Sequence, residues 1–291
     1  MILDRRHVLA LLAASALPTP VRGTPISRVA AIDWAMLETS VSIGVMPIAA
    51  TELFRFRLDA VEPDIPDGIA DLGLRGTPNF ELLHLLRPGL ILSSPFYAKH
   101  LEKLAAIAPV VSMPFYVKGE PPLDKALKAV SDLGDRLDRP AEAALAIERT
   151  QKDLAKMRHA LANFASRPSY IINIGDARHF RSFGADSMFG SVLDRLGLPN
   201  AWTERSRFSF NAAVPLETLA ETPDARIVVV SDVPVEARSG LADSKIWRAL
   251  EPVRKNRVLY LANVNPYGGV IAAMRFARLL SSALSVEGRA L

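Results

Sequence analysis

The chain has 291 residues, 49% of them hydrophobic and 23% charged, which suits one large or two medium globular domains and excludes disordered and collagen-like classes. Its 35 basic and 31 acidic residues are interspersed without a run of like charge, so the net +4 makes no concentrated stripe for a nucleic-acid backbone. Cysteine is absent, which excludes disulfides, thiolate metal sites and a lipidated N-terminal cysteine.

At the N-terminus Asp4-Arg5-Arg6-His7 precedes an apolar run over residues 8–17 that ends at Pro18. This pattern predicts a signal peptide over residues 1–23 with the Arg5-Arg6 pair of the twin-arginine route. Ten apolar residues are too few to span a hydrocarbon core of about 30 Å. Removing residues 1–23 takes away three arginines and one aspartate, which leaves 32 basic and 30 acidic residues and a net +2. Both Gly23 and the small residues Ala14-Ser15-Ala16 suit a cleavage site, Gly23 being preferred.

Downstream, short apolar runs at residues 29–32, 45–50, 69–72, 90–92 and 110–111 alternate with helical segments, the signature of a lobe built on a parallel sheet. Residues 71–97, DLGLRGTPNFELLHLLRPGLILSSPFY, read as a strand end, a Gly-Thr-Pro turn, an Asn79-capped helix over 80–86 and a second buried strand. Arg75 and Tyr97 then follow strands on one sheet edge, the carboxyl edge where open α/β sheets bind ligands. A guanidinium offers a rigid fork of donors and a phenol a directional donor with an aromatic face. The same spacing also suits a solvated turn arginine and a packing tyrosine.

Residues 141–164 follow Pro140 without internal Gly or Pro and predict a helix about 36 Å long. After Pro168 a second alternation places strands at 170–174, 226–230 and 258–261 and helices at 188–196, 242–250 and 270–284. The simplest account is an α/β fold of two lobes, residues 24–139 and 166–291, each around a mostly parallel sheet and bridged by one long helix over 140–165. One large doubly wound domain with a long surface helix is the alternative. Glu81 and Glu217 each fall in the first turn of a helix, one per lobe, where the dipole favours negative charge.

Nucleotide, hydrolase and zinc-protease motifs are absent, and His84, His100, His159 and His179 form no i, i+4 pair. They read as helix-surface residues, and the acidic segments around Asp132, Asp135 and Asp138 as solvated. What remains is aromatic material at strand ends of both lobes: Trp34, Tyr97, Phe208, Phe210 and Tyr267. Together these suit an apolar cleft with a few placed polar groups.

The twin-arginine leader, RVAAIDWAMLETSVSIGVMPIAAT, DLGLRGTPNFELL with PGLILSSPFY, LGLPNAW and NVNPYGGVIAAMRFARLL occur in this order along essentially the whole chain. The ordered set resembles the periplasmic ferric hydroxamate siderophore binding proteins, the ferrichrome-type members of the group whose two lobes are bridged by one long helix. The resemblance implies that Arg75 and Tyr97 contact hydroxamate oxygens around ferric iron, and that Trp34 and Tyr267 line the cleft opposite the RFSFN loop. In that loop Ser209 stands where relatives have tryptophan, so Phe208 or Phe210 supplies apolar contact and Asn211 is a candidate polar contact. It further implies no cofactor of its own, since iron(III) arrives as a siderophore complex, and no catalysis. The expected partner is an inner-membrane ABC permease with its ATPase, docked through Glu81 and Glu217 by a monomeric, periplasmic protein. Ferric citrate, catecholate complexes, cobalamin or haem are alternative ligands, and Arg207 is the candidate second arginine that a strongly anionic catecholate would need. An exported cofactor-dependent enzyme is the alternative from another class.

Overall fold

The computed structural model describes residues 28–203 and 213–287. Five parallel strands form the first sheet in the order β3-β2-β1-β4-β5: β1 Val29–Ala31, β2 Ala49–Ala50, β3 Ala70–Asp71, β4 Leu90–Ser93 and β5 Val110–Ser112. Central β1 and β4 are buried along their whole length, as strands covered on both faces must be. The strand expected over 45–50 shrinks to two residues, because Pro47 has no N–H to give to a ladder. Around this sheet lie α1 Trp34–Ser42, α2 Leu53–Asp59, α3 Phe80–Leu86 and α4 Leu101–Ala105. Asn79 caps α3 by accepting the Leu82 N–H at 2.9 Å.

The second sheet runs β10-β9-β6-β7-β8, with β6 Ser169–Ile174, β7 His179–Ser182, β8 Val214–Pro215, β9 Arg226–Val230 and β10 Val258–Leu261. The pairs of β6, β9 and β10 are parallel, while β7 and β8 are antiparallel additions that the apolar pattern did not announce. Asp176 turns the chain between β6 and β7 by accepting the N–H groups of Arg178 and His179 at 2.7 and 2.8 Å. His179 is therefore a strand residue, not a helix-surface one. Behind the sheets stand α5 Pro122–Arg136, α6 Pro140–Ala160, α7 Met188–Leu196 and α11 Val270–Glu287, with α8 Val235–Asp243, α9 Lys245–Ala249 and α10 Glu251–Arg254 on the outer flank. The single helix expected over 242–250 is broken at Ser244, whose hydroxyl accepts the Trp247 N–H at 3.2 Å and caps α9.

The long helix ends at Ala160 and is followed by a 3-10 turn over Ala162–Phe164. It is not an isolated spacer. α6 packs along α5, α7 and α11, and α11 also packs on α1. Its buried residues are Ala143, Thr150 and Leu154, whereas Leu145 is exposed. The segment read as solvated around Asp132 and Asp135 is the amphipathic helix α5, which buries Leu123, Leu127, Val130 and Leu133 beneath those acids. One apolar core accordingly crosses from the first sheet to the second, joining Leu37, Leu133, Leu154, Phe189, Phe276 and Leu280. Smaller clusters cover the outer faces of the two sheets.

Candidate functional site

Because the first sheet is wholly parallel, the chain leaves every strand on one edge, and each of the five exits contributes to a single cleft. β1 leads into Asp33 and Trp34, β2 into Glu52, β3 into Arg75, β4 into Ser94 to Tyr97, and β5 into residues 114–116. From the second lobe Tyr267 closes one side. The open space is about 600 Å³.

Local sequence explains how each group is held. In DLGLR, Gly73 adopts φ +72°, a region that residues with a Cβ avoid, and Asp71 accepts the N–H groups of Gly73 and Leu53 at 2.9 and 3.0 Å. The turn thereby delivers Arg75 to the cleft, where its Cζ lies 3.8 Å from the centroid of the Trp34 ring. The indole is fixed in turn: Nε1 donates to the Thr51 carbonyl at 2.9 Å, and Phe56 meets the ring edge-on at 5.1 Å. Glu52 accepts the Arg75 N–H at 3.3 Å and the Arg75 Nε at 2.6 Å. Asp33 caps α1 by accepting the Met36 N–H at 3.1 Å, and its second oxygen accepts the Ser94 hydroxyl at 2.8 Å.

Electrostatics follow from burial. Desolvation raises the Asp33 carboxyl above its ordinary range, against the pull of Ser94, the α1 N–H groups and Arg75. Burial also raises the Tyr97 phenol, with Asp33 adding to the rise and the adjacent Arg75 opposing it by charge and hydrogen bonding. Tyr267 is pushed up to about 12 by burial, opposed by Arg181. Both phenols stay protonated at neutral pH and remain donors.

Arg75, Tyr97, Trp34 and Tyr267 thus come together. Glu81 and Glu217 do not join them: both are exposed away from the cleft, Glu81 in the first turn of α3 and Glu217 in a 3-10 turn rather than an α-helix. Arg5, Arg6, Phe208, Phe210 and Asn211 lie outside the described residues. Sequence reasoning missed Asp33, Glu52 and Tyr116. Asp33 carried one local signal, its place just before a helix start. Tyr116 stacks edge-on against Tyr267 at 5.4 Å and donates to the Gly268 carbonyl at 2.6 Å, joining the lobes at the cleft floor.

Among the described residues no group of three or more His, Asp or Glu is placed to hold a metal ion, and no helix is long and apolar enough to cross a membrane. A cleft of aromatic walls, one guanidinium and protonated phenols between two sheets has the character of a small-molecule binding site, mostly apolar with a few placed polar groups. The chain belongs to the periplasmic binding protein family, which it matches over residues 29–264. It is 29% identical over 288 residues to the iron(3+)-hydroxamate-binding protein FhuD of Escherichia coli, covering 97% of each chain. The achromobactin-binding periplasmic protein of Dickeya dadantii is 27% identical over 265 residues, covering 84% of this chain and 82% of that one. Among solved structures, the Fe3+-Desferal-bound siderophore binding protein FhuD of Vibrio cholerae superposes with a TM-score of 0.82 at 23% identity, covering 89% of this chain and 98% of that chain.

Proposed function

We propose that this protein binds ferric hydroxamate siderophores in the periplasm and delivers them to an inner-membrane ABC permease and its ATPase. The observation that carries the reading is the convergence of Arg75, stacked on Trp34, with Tyr97 at the carboxyl edge of the first sheet. A ferric trihydroxamate core is neutral yet concentrates negative charge density on six iron-bound oxygens. One guanidinium fork and one phenol can hydrogen-bond that surface without replacing any iron ligand. Similarity to a hydroxamate-binding relative over nearly the full chain supports the same ligand class.

In this reading Trp34 and Tyr267 form the apolar walls, Phe210 and Asn211 are further ligand contacts, and the protein catalyses nothing. Export would use the twin-arginine leader in residues 1–23, and docking would use Glu81 and Glu217, one acidic side chain on each lobe. The test is quenching of tryptophan fluorescence in the mature chain on titration with ferrichrome, ferric desferrioxamine, a ferric catecholate and ferric citrate. Saturable binding of the two hydroxamates is expected; its absence for both would overturn the proposal.

A further inference from the structure

Glu52 is held in an unfavourable backbone conformation. Its φ of 50° and ψ of 43° lie in the left-handed region, which residues with a Cβ seldom adopt. Three hydrogen bonds to the neighbouring turn keep it there: its N–H donates to the Gly73 carbonyl at 2.8 Å, and its carboxylate takes both the backbone N–H and the Nε of Arg75. It starts α2, but its side chain makes no capping bond to the helix, so side-chain capping does not explain the choice of glutamate. What the strain achieves is a carboxylate, partly exposed, on the wall of the cleft beside its cation.

The charged side chains lining the cleft, among the described residues, are Asp33, Glu52 and Arg75. Asp33 is half-buried and tied to the Ser94 hydroxyl and the Met36 N–H, while Glu52 is ion-paired with Arg75 and balances its charge. Arg181, exposed on β7, adds a solvent-screened positive charge on the Tyr267 side. Among the described residues the cleft therefore offers donors from Arg75 and Tyr97 without the net positive field that an anionic complex would seek.

We propose that Glu52 sets the charge selectivity of the cleft, favouring neutral and cationic hydroxamate chelates and turning away anionic ones. The inference rests on the hydroxamate reading above and adds a selectivity residue to it. A neutral chelate meets the remaining guanidinium donors and the phenol. A chelate with an ammonium tail also meets the Glu52 carboxylate. An anionic tail meets that carboxylate as a like charge, at a separation where partial desolvation leaves the repulsion incompletely screened.

The test uses one iron-binding core with three tail charges: ferrioxamine B with its free ammonium, its N-acetyl derivative and its N-succinyl derivative. Wild-type affinity should fall in that order, by about tenfold between the cationic and the anionic complex. Glu52→Gln keeps a carbonyl oxygen as acceptor for Arg75 while removing the charge, and should compress the spread to about twofold. The readout is the ratio between complexes, which a general loss of affinity in the variant leaves unchanged. A second measurement needs no variant: in about 0.5 M sodium chloride, where the Debye length is about 4 Å, the wild-type spread should also collapse. Equal wild-type affinity for all three complexes, or a spread that survives either Glu52→Gln or high salt, would overturn the proposal while leaving the hydroxamate reading intact. Failure of all three to bind the wild-type protein would overturn both.

Discussion

Raising the pH through neutrality charges a carboxyl group that the fold has sealed between its two lobes. Glu38, on α1, is wholly buried and accepts from Asn265 Nδ2 at 2.9 Å and from the N–H groups of Gly269 and Ala272 at 2.7 and 3.0 Å. Burial pushes its pKa up to about 7 from an ordinary 4.5, against the pull of those three donors and with a further upward push from Asp33. Between those two values the folded protein holds a proton that the unfolded chain has released. Stability is therefore greatest below the unfolded value and falls as pH rises through the folded one, by about 1.4 kcal/mol per pH unit and about 3 kcal/mol in all, then levels off. Urea unfolding of the wild type and of Glu38→Gln, from about pH 5 to about pH 8.5, isolates this contribution, because glutamine does not titrate and any constant offset drops out of the difference. The wild type should lose stability relative to the variant steadily up to neutral pH and no further above it. A difference that stays flat across that range would refute the assignment of a neutral, buried Glu38 to the folded state below pH 7.

Arg75→Ala should weaken ferric hydroxamate binding by about 1.5 to 3 kcal/mol in the fluorescence titration, the value of a charged hydrogen bond, and an unchanged affinity would remove Arg75 from the site. Reversing both acids, Glu81→Arg with Glu217→Arg, should leave chelate affinity intact and abolish stimulation of the permease ATPase in proteoliposomes; equal stimulation by variant and wild type would eliminate the docking assignment. Gly268→Ala would drive a methyl into the Glu38 carboxylate and the Ala272 side chain, so a loss of about 1 to 3 kcal/mol is expected by urea unfolding, and a neutral result would show that the joint can give way. Leu154→Ala, in the core that α6 shares with both sheets, should cost about 2 to 5 kcal/mol by the same measurement.

Strands such as β4 and β9 are legible in the sequence because they are apolar on both faces and read as continuous runs between turn residues. The half of the site on β3 and β4 is legible for a related reason: once both strands run parallel, Arg75 and Tyr97 must leave the same edge. β7 is not legible, since only Phe180 of its four residues is fully buried and its outer partner, β8, lies more than 30 residues downstream. Glu52 escapes for a different reason. Its role depends on a left-handed backbone and on Arg75, 23 residues away, and neither leaves a mark on composition or period. Glu38 is an acid within a helix whose moment is weak, and nothing local announces partners more than 220 residues downstream.

The same long-range contacts change how the long helix is to be understood. As a lone strut, α6 would let the lobes swing about its ends. In the folded chain it is one wall of a core that both sheets share, and the joint is crossed again by Tyr116 to Gly268, by Glu38 to the start of α11, and by Glu62, which ion-pairs with Arg275 at 2.7 Å and also with Arg278. A wide opening would have to expose side chains such as Leu37, Leu154 and Phe276, at about 1.5 to 3 kcal/mol each, a sum comparable with the whole stability of a domain. Closure around a ligand is therefore small, and the cleft meets its ligand with a geometry already set. In such a site selectivity cannot come from lobes that close on one chelate and stay open on another. It has to come from side chains fixed at the rim before the ligand arrives, which is the circumstance in which a strained backbone at Glu52 is worth keeping.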